Sequence, residues 1–92
     1  MKISPDKLSL FSPARYRISV VGILDGNMTD SLGGLTIESQ EPDPERSKPV
    51  TTLTGRVADQ AALFGALNAL YNMRLPLLAV ECISIDEQKG EK

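Results

Sequence analysis

One long segment of this chain has helical period, and it is bare of charge. From Asp59 to Arg74 it reads DQAALFGALNALYNMR, with no charged residue between its two ends. Leu63, Leu67 and Leu70 recur at the spacing of a buried stripe, flanked by Ala66, Met73 and Tyr71, with Phe64 at its margin. Asp59 is placed to cap the first turn, and Pro76 ends the helix because it cannot continue it. The remaining periodic segments alternate as strands do, so a single long helix has to serve as the main cover of a sheet.

Four strands are legible. RYRISVVGIL puts Tyr16, Ile18, Val20 and Leu24 on one face and Arg15, Arg17 and Ser19 on the other. In LTIES, Leu35 and Ile37 point inward; VTTLTGRV is rich in β-branched residues; LLAVECISI is the last strand. Between the first two, DGNMTDSLGG suits one helical turn over Met28 to Leu32, stopped by Gly33. QEPDPERSKP, with three prolines and five charges and nothing apolar, reads as a flexible hairpin loop over residues 40–49. The order strand, short helix, two hairpin-linked strands, long helix, strand is that of an α+β, ferredoxin-like split βαβ. Right-handed crossovers would put both helices on one face of a four-stranded antiparallel sheet, covered there by one long helix. A simpler sheet with one helix is the competing arrangement.

With 92 residues there is room for one small domain, expected over residues 15–85, with an N-terminal arm at 1–14 and a charged tail at 86–92. The packed part is then about 70 residues, where burial is marginal and association often helps. A net charge of -2 argues against coating nucleic acid or an acidic membrane. The N-terminus lacks the apolar run of a secretory signal, and LPLLAV is too short to span a bilayer, so a soluble cytoplasmic chain is expected. The single cysteine, Cys82, fits a reducing compartment, and alternation places it beside Val80 and Ser84, facing inward.

Candidate sites are few. On the helix, Ala61, Gly65 and Ala69 recur every four residues beside Asn68 and Asn72, opposite the leucine stripe. Gly65 costs roughly 1 kcal/mol of helix propensity relative to alanine. Close approach of a partner backbone would account for it, and an Ala-rich helix with one tolerated glycine is the plainer account. The loop formed by Gly22, Asp25, Gly26, Asn27 and Met28 is the alternative site, as a ligand loop near a subunit boundary. Asp25, Asn27 and Asp30 do not match a calcium loop, because Asp30 stands where the turn glycine belongs and Thr36 where the bidentate glutamate is needed. Gly22 and Gly26 match no phosphate-binding fingerprint. The open sheet face, with Arg15, Arg17, Ser19, Thr52, Thr54, Arg56 and Glu81, lacks the aromatics that stack RNA bases, and Arg17 with Glu81 is its expected ion pair. There is no histidine to act as a base, so no catalytic residue, metal or cofactor is assigned and the chain is not read as an enzyme.

Thr52-Leu-Thr-Gly55, then Asp59-Gln-Ala-Ala-Leu63, Gly65-x-Leu67-Asn68 and Leu75-Pro-Leu-Leu78, together with the Leu24-Asp25 and Gly33-Gly-Leu-Thr-Ile37 segments, form a pattern. In these the chain resembles a widespread group of small bacterial proteins that have no assigned activity. Members commonly show tryptophan where Met28 and Ser31 stand, and often histidine at the position of Phe64, so a site built on those residues would be absent from this chain. The matched residues read as folding devices: Thr54-Gly55 ends a strand, Asp59 caps, Gln60 reaches back to the turn and Gly65 permits close contact. The expected function is a non-enzymatic association module, a homodimer or the binder of another protein. The alternative is a ligand-sensing regulatory domain.

Overall fold

The computed structural model describes residues 10–42, 45 and 48–85, and within them every side chain but those of Met28, Asp30 and Ser31. Strand β1, Ala14–Val21, alternates as its sequence does: Ala14, Tyr16, Ile18 and Val20 are buried, and Arg15 is exposed. A 3-10 helix follows at Gly26–Leu32, begun by the Asp25 carboxylate accepting from the Asn27 amide and ended by Gly33 at φ 65°. Strands β2, Leu35–Pro42, and β3, Pro49–Val57, form a hairpin, and α1, Gln60–Asn72, leads to β4, Leu77–Ile85.

The strands make one sheet in the order β2-β3-β1-β4. Each neighbouring pair is antiparallel. Its inner face and α1 enclose the core: Ile18, Val20, Leu24, Leu32, Leu35, Leu53 and Leu70 are buried, each worth about 1.5–3 kcal/mol when fully covered. Leu24 and Leu32 come from the ends of the 3-10 segment, which explains how so short an element holds its place. Leu63, Ala66 and Leu70 are the buried face of α1, which lies mainly against the 3-10 helix and β3.

Local chemistry fixes both ends of α1. Asp59 accepts from the Ala62 amide at 2.8 Å, as a capping residue should. At the other end the Arg74 amide donates to the Tyr71 carbonyl and the Leu75 amide to that of Leu70, the pair of reversed bonds that closes a helix through a left-handed residue. That residue is Arg74, at φ 65°, where glycine is the usual occupant.

The structure moves several sequence expectations. Gln40, Glu41, Pro42 and Pro49 belong to paired strands, so the hairpin connection is shorter than 40–49: Glu41 stands opposite Val50 and Pro42 opposite Pro49. Gly55 lies inside β3, which runs on to Val57; a Cβ there would run into the Gly34 carbonyl oxygen, so the two backbones approach at a distance only glycine allows. Within the expected arm of residues 1–14, Ala14 is a buried strand residue and the Leu10 carbonyl accepts from the Gln60 amide at 2.9 Å. Residues 1–9 and the tail 86–92 lie outside the described residues. Among the described residues, no helix is long and apolar enough to cross a membrane.

Candidate association surface

β4 reads LLAVECISI, with one charged residue, and it is an edge strand. The inner face of a central strand is sealed by neighbours on both sides, whereas among the described residues β4 has β1 on one side alone. Leu77 is 53% exposed and Val80 39%, although Val80 stands opposite the fully buried Ile18 and shares its face. The helix does not close this gap, because it packs toward the 3-10 helix and β3. Its flank toward β4 carries a second apolar stripe: Phe64 is 62% exposed, Leu67 half-buried and Tyr71 76% exposed. Between the two elements runs a groove of about 180 Å³ lined by Leu67, Leu70, Tyr71, Leu75, Pro76 and Leu77. Beyond it a wider hollow of about 300 Å³ reaches Arg74. The left-handed turn at Arg74 is what directs the chain from helix to strand here. Leu10, Phe11 and Ile23 are exposed on other segments, but Phe64, Tyr71, Leu77, Leu78 and Val80 all belong to these two elements, and apolar side chains brought together in this way suit another apolar surface.

The helix face singled out in the sequence is placed otherwise. Ala61, Gly65, Asn68 and Asn72 are exposed, and a Cβ at Gly65 would meet open space. Ala69 is half-buried and packs on the core, so it leaves that face. Tyr71, expected beside the buried stripe, is among the most exposed side chains. Spacing alone does not reveal this, because the angular width of the buried stripe depends on what the helix lies against.

The loop after β1 is tied down by its own bonds. Gly22, at φ 119°, donates its amide to the Pro49 carbonyl. Its carbonyl lies 2.6 Å from the hydroxyl of Thr51, a fully buried side chain. That hydroxyl also lies 2.7 Å from Gln40 Oε1, so one proton is shared between two acceptors. Gln40 Oε1 accepts as well from the Leu24 amide at 2.7 Å. Asp25 is engaged as a cap, and the Gly26 carbonyl accepts from the Thr29 hydroxyl. The backbone of Asn27 belongs to the 3-10 turn, and the side chain of Met28 lies outside the description. These bonds build the turn and hold its backbone in place.

On the open face Arg17 pairs with Glu81, Nη1 to Oε1 at 3.7 Å, as the register expectation had it. Its Nε also lies 3.4 Å from Glu38 Oε1, so one guanidinium spans from β2 to β4. Arg15 stands opposite Arg56. Cys82 is half-buried and packs against the core, and Gln60 reaches the Tyr16 hydroxyl at 3.2 Å. Among the described residues, no group of three or more histidine, cysteine, aspartate or glutamate side chains is placed to hold a metal ion.

The family model of a domain of unknown function, DUF8691, matches residues 15–81, and the chain belongs to that family. The match begins one residue inside β1 and ends within β4, so it takes in every element that frames the groove. Comparison with curated proteins and with solved structures gives no match.

Proposed function

We propose that this DUF8691 domain is a non-enzymatic association module that binds a second copy of itself, on a ferredoxin-like split βαβ frame, in the cytoplasm. The observation that carries the reading is the apolar edge strand β4 lying beside a helix flank that exposes Phe64 and Tyr71. An edge of this length and composition is a template for pairing, and natural sheets that remain single blunt such edges with charge or proline. The contact surface is the α1–β4 side, in preference to the small-residue face of Ala61, Gly65, Asn68 and Asn72, where the side chains offer little apolar area.

Two variants separate these surfaces. Tyr71→Glu places a charge on the groove wall, while Gly65→Glu places one on the open helix face and improves helix propensity. Light scattering at micromolar concentration is expected to give a dimer mass for the wild type and Gly65→Glu, and a monomer mass with helical circular dichroism retained for Tyr71→Glu. A dimer lost in Gly65→Glu and kept in Tyr71→Glu would move the contact to the small-residue face. A wild type that is monomeric at all concentrations would refute self-association.

A further inference from the structure

We infer that the two copies join strand to strand, β4 running antiparallel to the partner's β4 about a two-fold axis through Val80, so that one sheet continues across both. This rests on the self-association proposed above and adds to it the register.

The bulges of β4 limit the choice. Opposite β1, the partners of Arg15 and Tyr16 step from Ser84 to Cys82, and those of Ser19 and Val20 step from Ala79 to Leu77. Ile83 and Leu78 are therefore extra residues, and the uninterrupted run of β4 is Ala79–Cys82. Opposed residues in an antiparallel pair share a face, so a two-fold axis must pass through a residue position. Axes through Val80 and Glu81 lie in the middle of the regular run. The Glu81 axis sets two carboxylates directly opposite each other, which is destabilising. The Val80 axis sets Val80 against the partner's Val80, Glu81 against the partner's Ala79, and Leu78 against the partner's Cys82.

This register also accounts for the helix. A two-fold axis normal to the sheet keeps both α1 helices on the same side of it. Val80 lies on that side, opposite Ile18. The exposed Phe64 and Tyr71 of both copies then flank the seam that Val80 and Leu77 occupy, so one contact covers the strand and the helix flank together.

Cross-linking reads the register directly. In a Cys82→Ser background, Val80→Cys, Glu81→Cys and Thr36→Cys are each oxidised at a concentration where light scattering shows the mass, with circular dichroism to check the fold. Cysteines opposed across a strand pair fall within disulfide reach. The expected result is at least ten-fold more covalent dimer from Val80→Cys than from Glu81→Cys or from Thr36→Cys on the other edge. In the wild type, amide exchange of Val80 and Cys82, whose backbone groups point away from β1, should slow as concentration rises through the dimer range. A dimer by mass that cross-links best through Glu81→Cys, or through neither, overturns this pairing and leaves self-association standing. A monomer at every concentration overturns both.

Discussion

At one side of the sheet β2 reads LTIESQEP, and at the other β4 reads LLAVECISI. β2 carries Glu38, Glu41 and Pro42, with Glu38 extruded as a bulge between Ile37 and Ser39. Charge, proline and a bulge are the devices by which edges refuse further strands. β4 has bulges too, but between them lies Ala79–Cys82, with a single carboxylate that already leans on Arg17. The two edges belong to the same sheet and differ in what they turn outward. A fold of this size can therefore close one side by composition and leave the other open.

The largest expected effect breaks that contrast from the open side. Val80→Lys puts a cation on the apolar seam and should raise the dimer dissociation constant by a hundred-fold or more, measured by sedimentation. Thr36→Lys on β2 should change it less than two-fold, and equal losses from both would mean that the edges are not distinct. Next is the attachment of β2 itself. Gly55→Ala pushes β3 away from the Gly34–Leu35 backbone, and overpacking of this kind costs about 1–3 kcal/mol in a urea melt. A neutral result would show that β2 is free to move, and so not a closed edge at all. Thr51→Val removes the hydroxyl shared by Gly22 and Gln40; Gln40 Oε1 keeps the Leu24 amide, but the Gly22 carbonyl loses its donor, at a cost of about 1–2 kcal/mol. The dimer constant should not change with it, since the site lies on the β2 side.

The smallest effect is the sharpest. Glu38→Gln and Glu81→Gln each weaken an exposed pair with Arg17, and neither should alter stability by more than about 0.5 kcal/mol. Their effects on association should differ: Glu81→Gln removes charge from the seam and tightens the dimer a few-fold, while Glu38→Gln leaves it unchanged. If both tighten it equally, net charge rather than the β4 edge is being read.

Alternation in RYRISVVGIL was enough to assign the inward face of β1, and the cap at Asp59 and the bounds of β4 were equally plain. Local rules suffice there, because neighbouring side chains and backbone groups decide the outcome. The exposed flank was not legible in the same way. LLAVECISI reads as the last strand, and nothing within the segment says that it stands at an edge. Tyr71 looked like the rim of the core for the same reason, since the lean of α1 toward β3 and the 3-10 helix is set by the whole packing. The pairing of Glu38 with Arg17 is not legible in the segment, because β3 lies between their two strands. The propensity cost of Gly65 has no counterpart in its surroundings, where a Cβ would meet open space.

The sheet order also bears on how the chain acquires its shape. β2 and β3 are joined by a short connection and can pair early, whereas β1 must wait for β3, and then again for β4 near the far end of the sequence. Such distant pairings slow folding to the range of about milliseconds to seconds. During that wait the edge of β1 that will receive β4 lies open, and the β4 of any neighbouring copy is an equally good fit. Refolding at high concentration is thus expected to pass through exchanged dimers, in which each copy completes the other's sheet before its own.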